Sequence, residues 1–90
     1  MRLDKFLKVS RLIKRRTVAK EISDQGRITI NGKVAKSSSD VKFGDELAIK
    51  FGNKTMVVKI ERIVETTKKE EAEHMYSIVR EEYNETVSED

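Results

Sequence analysis

The 90-residue chain has no cysteine, no proline and no tryptophan, and it has a single histidine. Without cysteine there is no disulfide framework and no thiolate metal site, and an intracellular setting is the simplest expectation. Without proline, neither a slow prolyl step nor a rigid linker is expected. One histidine, His74, is too few for a nucleophilic triad or a Cys/His zinc centre, and its acidic surroundings suggest a solvated side chain. The four glycines (Gly26, Gly32, Gly44 and Gly52) are spaced as turns, and none belongs to a G-x-G-x-x-G or P-loop cradle. No apolar run approaches the length of a membrane span, and the basic N-terminus lacks the apolar stretch of a secretory signal. Aromatic residues make up only 6% of the chain, and with none expected at the surface, stacking of single strands receives little support. The chain is therefore read as a non-enzyme with no cofactor, no metal and no membrane partner.

What is abundant is charge, 39% of all residues, and it is unevenly spread. Residues 1–20 hold eight basic side chains (Arg2, Lys5, Lys8, Arg11, Lys14, Arg15, Arg16, Lys20) and one acid, Asp4, a net +7 in a chain of net +3. Residues 21–59 carry a net +2 and residues 60–90 a net −6. A solubilising surface normally intersperses the two signs. A basic N-terminal half joined to an acidic tail points instead to a polyanion met by one face.

The pattern of apolar residues predicts the elements. Leu3, Phe6 and Leu7 follow helical spacing and predict a helix over 3–9. Val18, Ala19 and Ile22 predict a second over 17–25, with Thr17 as its N-cap and Gly26 as its left-handed terminator. Ile28 and Ile30 alternate as on a strand, and Asn31-Gly32 is the strongest tight-turn signal in the chain. Ser37-Ser38-Ser39 reads as a loop and Phe43-Gly44-Asp45 as a turn. Leu47, Ile49 and Phe51 alternate, Gly52-Asn53 turns, and Met56, Val58 and Ile60 face one side of a long strand. Thr67-x-x-Glu70 fits a capping box. With Ala72, Tyr76, Val79 and Tyr83 at helical intervals, it predicts a helix over 68–83. That stripe either packs on the sheet, the simpler reading, or docks a partner.

Lys14, Arg15 and Arg16 fall where the first helix ends and the second begins. Side chains of that charge beside free N-terminal amides make a phosphate site. Duplex DNA is a weaker match than folded RNA, because the second helix offers few base-reading side chains beyond Gln25.

The run RLDKFL…R…KRRTVAKEI…GRITINGK…GDEL resembles the S4-type RNA-binding domain. Arg2-Leu3-Asp4, Arg15-Arg16, Ala19, Gly26, Asn31-Gly32 and Gly44-Asp45 all stand at that family's spacing, over about residues 1–50. The resemblance implies an α+β fold, the S4-type (alpha-L) arrangement of two N-terminal helices on a small bent antiparallel sheet, with RNA on the helical face. To this the sequence adds a C-terminal helix. The expected organisation is an S4-type domain over 1–65, an acidic helical segment over 66–86 and a frayed tail over 87–90. Many family members have a small residue at the position of Arg15, and the arginine here adds charge.

MRLDKFLKVSRLIKRR at one end and TTKKEEAEHMYSIVREE at the other resemble a stand-alone ribosome-associated quality-control branch, related to the S4-containing heat-shock protein of bacteria. That resemblance implies a cytoplasmic, ribosome-associated protein, monomeric off the ribosome. Its implied partners are rRNA of the large ribosomal subunit, peptidyl-tRNA and the tRNA-recruiting factor RqcH. The implied role is support of C-terminal alanine tailing of stalled nascent chains. The candidate RNA-binding residues are Arg2, Asp4, Lys5, Arg11, Lys14, Arg15, Arg16, Thr17, Lys20, Lys33 and Lys36. Asp4 is expected to orient Arg2 or Arg16, or to contact RNA itself. The alternatives are a general S4-domain rRNA-binding protein in ribosome recycling or assembly, and a small DNA-binding protein. An S4-bearing RNA-modifying enzyme would need a catalytic domain for which too few residues remain.

Overall fold

A computed structural model describes residues 1–65 and 68–83, with only the backbone of Lys69. The chain runs α1 (Leu3–Val9), α2 (Arg16–Asp24), β1 (Ile28–Ile30), β2 (Lys33–Val34), β3 (Glu46–Phe51), β4 (Lys54–Ile60), α3 (Lys69–Ala72) and β5 (Tyr76–Tyr83). The strands form one antiparallel sheet in the order β2-β1-β3-β4-β5.

Helix α1 forms where Leu3, Phe6 and Leu7 fall on one face, and all three are fully buried. Helix α2 turns Ala19 and Ser23 inward, and these small residues admit close approach of the backbones. The Ser23 hydroxyl is satisfied by donating to the Ala19 carbonyl at 2.7 Å. Cross-strand pairs Leu47–Val58 and Ile49–Met56 line the sheet face that meets the helices, with Ile28 and Ile60 beside them. Burial of this one cluster, at roughly 1.5–3 kcal/mol for each large apolar side chain, is the main force holding the helices in place.

The predicted turns form as expected. Helix α2 ends with the Gly26 amide donating to the Ser23 carbonyl and the Arg27 amide to the Ile22 carbonyl, while Gly26 takes φ +78°. This is a Schellman motif, and glycine is the residue that enters it without strain. Asn31 and Gly32 both take positive φ, 51° and 87°, as the two-residue β1–β2 hairpin requires.

Two expectations are corrected. Thr17 is not the N-cap of α2. Arg15 holds that place with extended φ and ψ and no side-chain cap, and Thr17 is the second helical residue. The C-terminal helix is confined to the single turn of α3, and Tyr76–Tyr83 is a strand. Ala72 and Met75 are buried, and the Met75 carbonyl accepts the amides of Glu61 and Arg62 at 2.8 and 3.2 Å. That anchor delivers the chain to the open edge of β4. There Tyr76, Ile78, Val79 and Tyr83, aromatic or β-branched, suit a pleated strand better than a helix. The stripe read from the sequence does not form one face: Ala72 is buried, Tyr76 half-buried, and Val79 and Tyr83 exposed. Val57 pairs with Arg80 and Val58 with Ile78, so Val79 is the extra residue of a bulge. Thr67 of the supposed capping box, and the tail expected to fray, lie outside the described residues.

Candidate nucleic-acid interface

The basic residues of the first twenty are placed by α1, α2 and the bend between them. Asp4 organises the centre. It lies in the first turn of α1 with only 3% of its surface exposed. Arg2 donates to its carboxylate through Nε at 3.2 Å and Nη2 at 3.4 Å, and Arg16 donates through Nη2 at 3.4 Å. Both arginine side chains remain about half exposed. A buried acid thus holds two arginines, one just before α1 and one opening α2, leaving their outer N–H groups for a second acceptor. Of the two roles considered for Asp4, orientation is the one the geometry displays, and it acts on both arginines rather than one.

Arg16 is also the first residue of α2. The amides of Arg16, Thr17 and Val18 have no protein acceptor among the described residues, and no side chain caps them. Exposed amides at the positive end of a helix, beside Arg15, Arg16 and Lys14, suit a phosphate oxygen. Helix α1 is different, because its first amides are already used. The Leu3 amide donates to the Ser39 carbonyl at 2.7 Å and the Asp4 amide to the Ser37 carbonyl at 3.2 Å.

Between the helices the chain is fixed from inside. The buried Ser10 hydroxyl donates to the Leu7 carbonyl and accepts the Leu12 amide, and Ile13 is buried. Arg11, held between them, takes φ +64° and is exposed. A non-glycine residue there carries strain of roughly 1 kcal/mol or more.

Not every candidate cation is free. Lys5 is paired with Glu65, whose carboxyl is held below its usual range chiefly by that hydrogen bond. Lys20 donates to Asp24 at 3.0 Å. Asp24 also accepts the Ser37 amide at 3.0 Å, and this backbone bond is the main reason its pKa falls to about 2. Asp24 therefore anchors the serine loop whose carbonyls cap α1. Lys36 heads that loop, and Lys33 stands beside the Asn31-Gly32 turn; both are exposed, apart from the Arg2–Asp4–Arg16 cluster in sequence. The Asn31 side chain serves the fold. Its Nδ2 donates to Asp45 and its Oδ1 accepts the Glu46 amide, each at 3.0 Å.

The reading that no aromatic is exposed does not hold. Phe43 and Tyr83 are both largely exposed. Burial of an aromatic in a turn depends on which neighbours the fold brings to it, and its sequence context carried no such signal. Among the described residues, no group of acidic or histidine side chains is gathered as a metal site would need, and no helix is long and apolar enough to cross a membrane.

The S4 domain family matches residues 1–47. The chain is 67% identical over 82 residues to the RQC P-site tRNA stabilizing factor of Bacillus subtilis, covering 91% of this chain and 95% of that one. It is 62% identical over 82 residues to the factor of the same name from Listeria monocytogenes, covering 91% and 89%. Among solved structures, heat shock protein 15 of Vibrio cholerae superposes with a TM-score of 0.81 at 30% identity, over 88% of this chain and 81% of that one.

Proposed function

Because the chain belongs to the S4-domain family of RQC P-site tRNA stabilizing factors, we propose that it binds large ribosomal subunits still carrying peptidyl-tRNA. There it supports ribosome-associated quality control, acting with RqcH in C-terminal alanine tailing of the stalled chain. Its contribution is binding, not catalysis. The observation that carries this reading is the buried Asp4 carboxylate aiming Arg2 and Arg16 outward beside the uncapped N-terminus of α2. Guanidinium forks, open amides and a surrounding excess of lysine and arginine all favour phosphate. Such a surface reads the shape and backbone of folded RNA in preference to base edges. Lys14, Arg15 and Arg11 extend the charge around this centre, Thr17 offers a hydroxyl at its edge, and Lys33 and Lys36 add an outlying basic pair.

Cosedimentation of the purified protein with large subunits, with and without bound peptidyl-tRNA, tests the reading. Binding should favour the loaded subunit. Arg16→Ala should weaken it about tenfold, the size of one lost charge-assisted contact, while the protein stays folded, with Arg2 still bound to Asp4. Binding to neither form of the subunit would overturn the proposal. Unchanged affinity in the variant would remove Arg16 from the site.

A further inference from the structure

Whereas Phe6 is buried completely, Phe43 is 69% exposed. It is also firmly held. Residues 42–45 form a tight turn in which the Asp45 amide donates to the Lys42 carbonyl at 3.1 Å. The Lys42 amide donates back to the Asp45 carboxylate at 2.9 Å. Gly44, at φ +89°, is the glycine that a type II turn needs after its first central residue, and Phe43 is that first residue. The Gly44 amide donates to the Ile60 carbonyl and the Ile60 amide to the Asp45 carbonyl, both at 2.8 Å, so the turn is stitched to the end of β4. Asn31 donates to Asp45 from the β1–β2 turn at 3.0 Å. An exposed ring on such a turn loses little conformational freedom when something packs on it.

The segment that leads into the turn is tied to the start of the chain. The backbones of Arg2 and Asp40 form an isolated antiparallel bridge, the Asp40 carboxylate accepts from the N-terminal ammonium at 3.1 Å, and the Val41 amide donates to the Met1 carbonyl at 2.9 Å. Phe43 follows Val41 by two residues, and the residue between them is an exposed lysine, Lys42. A ring next to a lysine in sequence, three residues from the point where the chain is bridged to Arg2, matches one nucleotide chemically: base on the ring, phosphate on the cations. The Asp45 carboxylate keeps its charge but is tied into the turn, both its oxygens accepting N–H groups.

We propose that Phe43 is a stacking platform for an unpaired nucleobase of the RNA whose backbone lies on the Arg2–Arg16 face. The proposal rests on the RNA-binding reading of that face. It adds a contact that distinguishes an unpaired, accessible base from a continuous duplex.

The test replaces Phe43 with Ala, Leu and Tyr and measures cosedimentation with peptidyl-tRNA-loaded large subunits, with Arg16→Ala alongside. Chemical probing of unpaired bases on the bound RNA accompanies it. Because the side chain is exposed, all three variants should melt with the parent. Phe43→Ala and Phe43→Leu should each lose roughly tenfold in affinity, Phe43→Tyr should retain it, and one unpaired base protected by the parent should become reactive with the Ala variant. Equal affinity for the Ala variant would overturn the proposal. Full retention by Leu would also overturn it, since apolar contact with protein would then suffice. If Arg16→Ala loses affinity while all Phe43 variants keep it, the RNA-binding reading stands and the stacking proposal falls. If the parent itself fails to bind, both fall.

Discussion

At the scale of single residues, Asp4 decides most. A lone acid among eight cations could be a local neutraliser or an organiser of them. Its burial, and its hydrogen bonds to arginines that stay half exposed, make it an organiser. An acid that acts through its partners leaves a particular energetic signature. Asp4→Asn should weaken binding to loaded subunits in the parent background and have far less effect once Arg2 and Arg16 are both alanine. The coupling expected for such contacting groups is about 0.5–3 kcal/mol, read from a double-mutant cycle of subunit affinities. Additive losses would mean that Asp4 meets RNA directly. Arg2, Asp4 and Arg16 were legible as candidates in the sequence because of their spacing. That one carboxylate serves both arginines was not, because α1 and α2 are brought together only by the burial of Phe6, Leu7, Ala19 and Ser23.

At the scale of elements, the N-terminal half of the fold was the readable half. Its signals are local: apolar spacing over seven or nine residues, a glycine just past a helix end, an Asn-Gly turn. The C-terminal segment was misread because its decisive interaction is not local. The 72, 76, 79, 83 spacing suits a helix, yet the unpaired edge of β4 offers these residues a ladder of backbone bonds. The N-terminus of α2 was misassigned by one or two residues for a related reason, since Thr17 is a good cap only where nothing else sets the helix start. The serine loop shows how a connection without regular structure holds two elements. Its Ser37 amide is bound by Asp24 at the end of α2, and its carbonyls receive the first amides of α1. Asp24 has its folded pKa lowered to about 2 from an ordinary 3.8. A depressed carboxylate stabilises the fold fully above its unfolded pKa, and that stabilisation is lost as pH falls through the folded value. Thermal unfolding followed from pH 6 down to about pH 2 should therefore show a loss between about 4 and 2 that Asp24→Asn, already deprived of the charge, shows in reduced form. Identical pH profiles for parent and variant would remove Asp24 as the anchor of the loop.

At the scale of the whole molecule, charge polarity ties the fold to its partner. The +7 of the first twenty residues is carried by α1, α2 and the residues that flank them, while on β5 Glu81 meets Lys54 at 3.6 Å and Glu82 meets Arg80 at 2.8 Å. Lys5 and Lys20 are partly neutralised by Glu65 and Asp24. The set with no ion pair among the described residues is thus smaller than the count of cations: Lys8, Arg11, Lys14 and Arg15, together with the outer N–H groups of Arg2 and Arg16. Each phosphate neutralised by such a group releases a counterion, contributing a slope of roughly −0.7 to −0.9 in log affinity against log salt. If about six act, affinity for loaded subunits should fall roughly a thousandfold between low and moderate salt. Arg16→Ala and Arg15→Ala should each make that slope shallower by nearly one contact, whereas Glu81→Gln on β5 should leave it in place. The contrast matters more than the total. Any protein of this composition would bind RNA more weakly in salt, but only one that meets its partner with the α1–α2 face would assign the slope to those arginines and none of it to the β5 edge. A slope that shifts equally for all three variants would mean diffuse attraction by net charge, and the oriented face would lose its functional meaning.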